Sequence, residues 1–153
     1  MSMKVKDVMT KDPVCCTPES PLEAIAQLMK QHDCGAVPVV GDLVDRYPIG
    51  IITDRDIVIR ALADGVNPLG LTARDCMTAP AETVTENTTL DDCIEVLEER
   101  QIRRVIVVDS GGRCTGIVAQ ADVAIHASKH EAGELLKEVS RPDNVEDLAS
   151  VRH

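Results

Sequence analysis

The side chains best able to act on another molecule stand three residues apart, Thr53 and Asp56 in Gly50-Ile51-Ile52-Thr53-Asp54-Arg55-Asp56. A β-branched run ends at Thr53 and a helical pattern follows, so both lie at a strand-to-helix turn. There the Asp56 carboxylate can accept hydrogen bonds from two vicinal hydroxyls, and ionised acceptors make the stronger bonds. The Thr53 hydroxyl, with the free N–H groups of a helix start, suits a phosphate. The same spacing is also a capping box, with Thr53 as N-cap and Asp56 as the third helical residue. A relative of the motif recurs at Gly116-Ile117-Val118-Ala119-Gln120-Ala121-Asp122, where Asp122 is kept and the hydroxyl is lost. An Asp near a helix start is favourable by about 0.3–1 kcal/mol whatever else it does. The candidate cations are the adjacent Arg103 and Arg104, and Arg55, which equally suits a solvated helix surface.

Six cysteines, at positions 15, 16, 34, 76, 93 and 114, form no Cys-x-x-Cys pair. They read as free thiols in a reducing compartment, several of them small core residues. The alternative is a redox or metal role for Cys15 and Cys16, with Cys34 as a third candidate. His126 and His130 have a spacing that some metal sites use, but no third ligand is near, and an exposed polar face is the simpler reading. His32 stands near a helix end, where it suits capping of carbonyls. No Ser–His–Asp or Cys–His arrangement, glycine-rich phosphate loop or paired-carboxylate motif stands out. These residues support binding and no catalysis.

Composition narrows the partners. Of 153 residues 44% are hydrophobic, yet there is one Tyr and no Phe or Trp, so the core must be built from aliphatic side chains. That disfavours base-stacking nucleic-acid modules, which use aromatic platforms. The net charge of −10 repels phosphate backbones, so nucleic acid is not an expected partner. No apolar run approaches the roughly 18 residues of a membrane span, and residues 1–12 lack the apolar centre of a secretory signal. The expectation is a cytoplasmic protein without membrane contact.

The elements that would position these side chains occur twice. Lys6-Asp7-Val8-Met9-Thr10 returns 68 residues later as Arg74-Asp75-Cys76-Met77-Thr78. Leu22, Ile25, Ala26 and Met29 return as Leu90, Cys93, Ile94 and Leu97, each set one face of an amphipathic helix. Val37, Val39 and Val40 return as Val105, Val107 and Val108. The offset then shortens to 66, because the connection between Val40 and Gly50 is two residues longer than its counterpart. Ser20, Pro21 and Glu23 mark the start of the first helix as a capping box, and Thr88 and Asp91 mark the second. Strands are expected at Ala36–Val40 and Ile49–Thr53, and at Val105–Val108 and Gly116–Val118. Further helices are expected from Asp54 to Ala63 and from Ala121 to Ser128. Each copy reads as β-α-β-β-α: residues 4–64, a Gly/Pro linker at 65–71, then 72–128. Residues 129–153 read as a short helix and an acidic tail.

Two such copies, each closing with Gly-h-h-Thr-x-x-Asp or a relative of it, resemble a tandem pair of cystathionine-β-synthase (CBS) domains, the Bateman module, in its stand-alone bacterial form. Asp7-Val8-Met9-Thr10, Gly35-Ala36-Val37-Pro38-Val39-Val40 and Arg103-Arg104-Val105-Ile106-Val107-Val108 carry the likeness beside the two Asp motifs. The resemblance implies an α+β fold of two CBS units packed about a pseudo-two-fold axis, and a homodimer. It further implies a non-catalytic regulatory module sensing AMP, ADP or ATP in the cleft between repeats, with an unknown regulated protein as partner. Asp56 and Asp122 would accept from ribose hydroxyls and Thr53 would face phosphate. The strand around Val37 and Pro38 would face adenine with backbone from Val14 to Thr17. Arg103 and Arg104 align with phosphate-contacting positions, Arg104 reaching the first site across the axis. The two clefts are not equivalent, since Ala119 replaces the hydroxyl in one and Gly35 stands where Arg103 stands in the other. NAD and S-adenosylmethionine are further adenosine ligands of this class. The rival readings are an interaction module with empty clefts and a cysteine-based redox or metal sensor.

Overall fold

The computed structural model describes residues 3–126, so the expected tail and His130 lie outside the described residues. Each half opens on a helical turn absent from the β-α-β-β-α reading: α1 (Val5–Val8) and α4 (Ala73–Cys76). Both turns are closed by an aspartate. Asp7 accepts from the Lys4 N–H at 3.0 Å, and Asp75 from the Thr72 N–H at 2.9 Å. Thr72-x-x-Asp75 is thus a capping signal within the repeated motif.

The amphipathic helices form as expected: α2 (Leu22–His32) buries Leu22, Ile25 and Met29, and α5 (Leu90–Arg100) buries Leu90, Cys93 and Leu97. Their starts lie one residue later than the capping-box reading. The Ser20 hydroxyl accepts from the Thr17 N–H at 3.0 Å, and Thr88 from the Thr85 N–H at 3.1 Å, each closing the turn before its helix. The caps are Pro21, which gives no side-chain bond, and Thr89, which accepts from the Asp92 N–H. At the end of α2 the cap is Asp33 in the left-handed region, with the Cys34 N–H donating to the Met29 carbonyl.

Two antiparallel hairpins follow the helices, β2 (Ala36–Val40) with β3 (Pro48–Thr53), and β5 (Arg104–Val108) with β6 (Cys114–Ala119). The second hairpin lies in a four-stranded sheet, order β1-β6-β5-β4, with β1 (Thr10–Lys11) antiparallel to β6 and β4 (Thr83–Thr85) parallel to β5. The first hairpin repeats this plan with single bridges: Cys16 lies parallel to Val39, and Thr78 antiparallel to Ile51. Helix α3 (Asp54–Ile57) then widens into a π-helical turn at Val58–Leu62, and a last helix, α6, covers residues 120–126 as far as the described residues run.

These pairings show that the opening segments are exchanged. Thr10, from the first half, pairs with Ile117 in the second; Thr78, from the second, pairs with Ile51 in the first. Burial agrees: Val5 is fully buried among Val84, Leu90, Cys93 and Leu97, while Ala73 and Cys76 are buried among Leu22, Ile25 and Ile52. A third core joins the hairpins through Val40, Ile106, Val108 and Cys114.

The crossing brings backbones close. A Cβ at Gly50 would stand 2.6 Å from the Thr78 carbonyl oxygen, whereas at Gly116 its nearest neighbour would be the flexible Met9 thioether. Gly50→Ala should therefore lower stability by about 1–3 kcal/mol, as overpacking does, and Gly116→Ala by clearly less. Urea titration of both variants checks the order, and equal losses would mean that the Thr78 backbone yields as easily as Met9.

Candidate functional site

A cleft of about 360 Å³ opens where the first half's exchanged segment meets the second half. Thr10, Lys11, Asp12, Pro13 and Val14 form one wall, Ile117, Ala119 and Asp122 another, and His32, Cys34, Gly35, Ala36 and Arg104 the third. Each wall follows from the fold. Pairing with β6 fixes Thr10 and Lys11 beside Ile117, and the Asp12 N–H extends the contact to the Thr115 carbonyl at 3.0 Å. The end of α2 brings His32, and the start of β2 brings Gly35 and Ala36. Gly35 leaves room for the Arg104 guanidinium, whose Nη2 would lie 3.3 Å from a Cβ at that position, with Asp54 Oδ2 at 3.0 Å.

The equivalent position in the other half is nearly closed. About 40 Å³ remains there, lined by Ile51, Thr78, Pro80, Glu82, Ile102, Arg104 and Ile106. That is space for a few waters at most. The reason lies in the residues that replace one another under the repeat: Ile102 stands for Cys34, and Arg104 for Ala36. Larger side chains fill what smaller ones leave open.

The expected site residues divide accordingly. Asp122, Val14 and Arg104 meet at the open cleft. Arg104 lines both clefts, since β5 runs between them. Thr53 and Asp56 are among the wall residues of neither cleft, and they bond each other: the Thr53 N–H donates to Asp56 Oδ2 at 2.9 Å, and the Asp56 N–H to Thr53 Oγ1 at 3.0 Å. Asp56 Oδ1 also lies 3.9 Å from Arg60, which donates to the Met77 carbonyl at 2.9 Å and so ties the exchanged segment down. Val37 faces away from the cleft, fully buried in the first core, and Pro38 is buried beside it with its carbonyl taken by the Cys16 N–H. Arg103 is exposed and outside both cavities. Asp122 is exposed, and among the described residues its carboxylate takes no hydrogen bond; Ala119 has no hydroxyl to accept from the Asp122 N–H. His32 and Lys11 are wall residues that the sequence reading did not select. Lys11 had a legible signal, lying one residue after the repeated Asp-x-Met-Thr motif.

The family model for the CBS domain matches twice, over residues 5–62 and 73–129. The chain belongs to the CBS-domain family. Hypoxic response protein 1 of Mycobacterium tuberculosis is 38% identical over 137 residues, covering 90% of this chain and 94% of that protein. A crystal structure of Hypoxic Response Protein I with two coordinated zinc ions superposes with a TM-score of 0.70 at 39% identity, covering 81% of this chain and 98% of that one. The CBS domain of a bacterial CNNM/CorC-family Mg2+ transporter, in complex with ATP, superposes with a TM-score of 0.68 at 27% identity, covering 80% and 84%. The CBS pair accounts for nearly all the described residues of this chain, and among them no helix is long and apolar enough to cross a membrane. Among the described residues no group of three or more His, Cys, Asp or Glu side chains is arranged to hold a metal ion.

The capping geometry in this CBS pair makes its own prediction. Thr53→Ala removes the hydroxyl that holds the Asp56 N–H and should lower stability by about 1 kcal/mol, while Thr53→Ser should keep most of it. Denaturant unfolding measures both, and an unchanged midpoint in Thr53→Ala would free this pair for another role.

Proposed function

We propose that this protein is a non-catalytic regulatory module that binds an adenosine nucleotide in the cleft lined by Asp122. One observation carries the reading: the open cleft combines an unengaged carboxylate, basic groups and apolar walls, while its counterpart has no room. A volume of about 360 Å³ lies within the usual range for small-molecule sites. Asp122 offers the acceptor for vicinal ribose hydroxyls; Arg104 and Lys11 supply cations for phosphate and His32 a hydrogen-bonding ring; Val14, Pro13, Ala36 and Ile117 offer apolar surface to the base. ATP binding by the 27% identical transporter domain supports the ligand class. AMP, ADP and ATP are the candidates, bound in one cleft per chain. Occupancy would act by favouring one arrangement of the two halves, through a difference in affinity between arrangements.

Asp122→Asn should weaken binding tenfold to a hundredfold, since hydrogen bonds to charged groups contribute about 1.5–3 kcal/mol. Asp56→Asn should change affinity less than about twofold. Calorimetry with AMP and ATP measures both, and a large loss at Asp56 with none at Asp122 would move the site to the other half. Thermal shift gives a direct screen: a ligand at about 100 times its dissociation constant adds about 2.7 kcal/mol.

The module also reads as a cytoplasmic homodimer, with its regulated protein unknown. Val58, Ile59 and Leu62 on the first half, and Ile125 at the matching place on the second, are about half exposed. Exposed apolar side chains at matching places of the two halves suit a self-complementary contact. Ile59→Glu with Ile125→Glu should halve the mass seen by light scattering, and a single-chain mass for the unaltered protein would end the dimer reading.

A further inference from the structure

The two halves correspond closely except at the connection between β2 and β3, and that longer loop carries chemistry of its own. Asp42 Oδ1 accepts from the N–H groups of Val44 and Asp45 at 2.9 and 2.7 Å, and Arg46 follows in the left-handed region, φ 62°. Arg46 Nη2 donates to the Pro13 carbonyl at 2.9 Å and to Cys15 Sγ at 3.2 Å. Its own carbonyl accepts from the Cys114 N–H at 2.8 Å, so one residue grips both cysteine positions. Its Nε is buried and has no hydrogen-bond partner among the described residues, an open donor within this cluster. Cys15 packs against the small core that contains Cys114, whose thiol donates to the Gly116 carbonyl at 3.9 Å. Under the repeat the matching residues are Thr83 and Pro48, so the sulphur pair occurs once.

We propose that Cys15 and Cys114 are a redox-active thiol pair that hydrogen peroxide converts to a disulfide, with Arg46 as the positioning residue for the attacking Cys15 sulphur. The Cys15 thiolate attacks one peroxide oxygen; the O–O bond breaks, leaving a sulfenic acid on Cys15 and a hydroxide that takes a proton to become water. The Cys114 thiol then attacks the Cys15 sulphur, its proton leaves with the sulfenic oxygen as a second water, and the S–S bond forms. Two electrons pass from the two thiols to one peroxide.

The division of roles follows from the surroundings. The neighbouring Cys114 thiol lowers the Cys15 thiol most; Arg46 adds to this against the opposing effect of burial, and the thiol is held at about 6. The same neighbour, with burial, pushes Cys114 up and keeps its proton until it is needed. Arg46 is the cation at the pair, Asp12 is the carboxylate that acts on it, and burial raises neighbouring Cys16 to about 12, leaving it a protonated thiol. A thiolate at neutral pH reacts and its buried neighbour resolves. Cys16 and Cys34, the other candidates by sequence, belong instead to the first core.

The test uses the full chain, reduced, desalted and given equimolar hydrogen peroxide at pH 7, then alkylated, digested and weighed. Two of six thiols should be lost, in a peptide joining Cys15 to Cys114. Cys114→Ser should accumulate a Cys15 sulfenic acid that dimedone traps, with Cys114→Ala as a second form should the hydroxyl unsettle the buried position. The rate in the native protein should rise as pH passes upward through about 6 and then level off. Arg46→Met should slow it about tenfold at pH 6 and move that rise to higher pH, because fewer molecules carry the thiolate, and Arg46→Lys should restore most of it. Six intact thiols, a disulfide between other cysteines, or an unshifted pH profile in Arg46→Met would overturn the proposal. No nucleotide enters the readout, so this result stands apart from the ligand reading.

Discussion

The exchange of opening segments is the constraint on which the rest of the molecule depends. Ile51 and Thr78 trade two backbone hydrogen bonds, at 3.0 and 2.8 Å, and Thr10 and Lys11 pair with Ile117 and Gly116. A unit of about 60 residues buries too little of its surface to be comfortable alone. Here each half closes its core with residues of the other: Val5 seals the second, Ala73 and Cys76 the first. The association therefore does more than press two finished domains together, since neither core is finished without the crossing. It also explains why a motif as plain as Asp-x-Met-Thr is repeated, for it forms the turn and strand that cross.

The same crossing creates both clefts and lets them diverge. A cleft exists wherever a crossed segment runs beside the hairpin of the other half, so the fold supplies two. What fills them is a matter of side-chain size. Ile102 and Arg104 occupy one side where Cys34 and Ala36 leave the other open. Arg60 reinforces the closed side by binding the carbonyls of Cys76 and Met77; its counterpart under the repeat is His126, whose side chain is shorter. Internal symmetry thus provides two candidate sites, and substitution at a few positions leaves one with space for a ligand.

Much of this was legible in the residues, and the boundary is physical. Helices α2 and α5 and both hairpins follow from local periodicity, which short stretches of sequence express directly. The change of offset between the copies locates the long β2–β3 loop. The crossing was not legible, because a repeated motif reads alike whether it folds back on its own half or onto the other. The helix caps were displaced by one residue because hydroxyls at Ser20 and Thr88 have two uses of similar strength, and the preceding turn takes them. Cleft volume depends on pairs such as Cys34 and Val14, distant in sequence, and the meeting of Cys15 with Cys114 depends on the crossing itself.

The Thr-x-x-Asp motif shows how completeness and availability can oppose one another. In the first copy the motif is whole, and one oxygen of its carboxylate is engaged: Asp56 Oδ2 accepts from the Thr53 N–H, and Oδ1 lies near Arg60, which holds a crossed segment. In the second copy Ala119 has broken the box. Asp122 lacks the hydroxyl that accompanies a capping carboxylate, and it stands exposed at the more open of the two symmetry-related clefts. A search by motif alone ranks Asp56 first, because it rewards the intact pattern. A ranking by what each oxygen already binds reverses the order, since a ligand must compete with the Thr53 N–H for Asp56 Oδ2. At Asp122 no such bond has to be broken first.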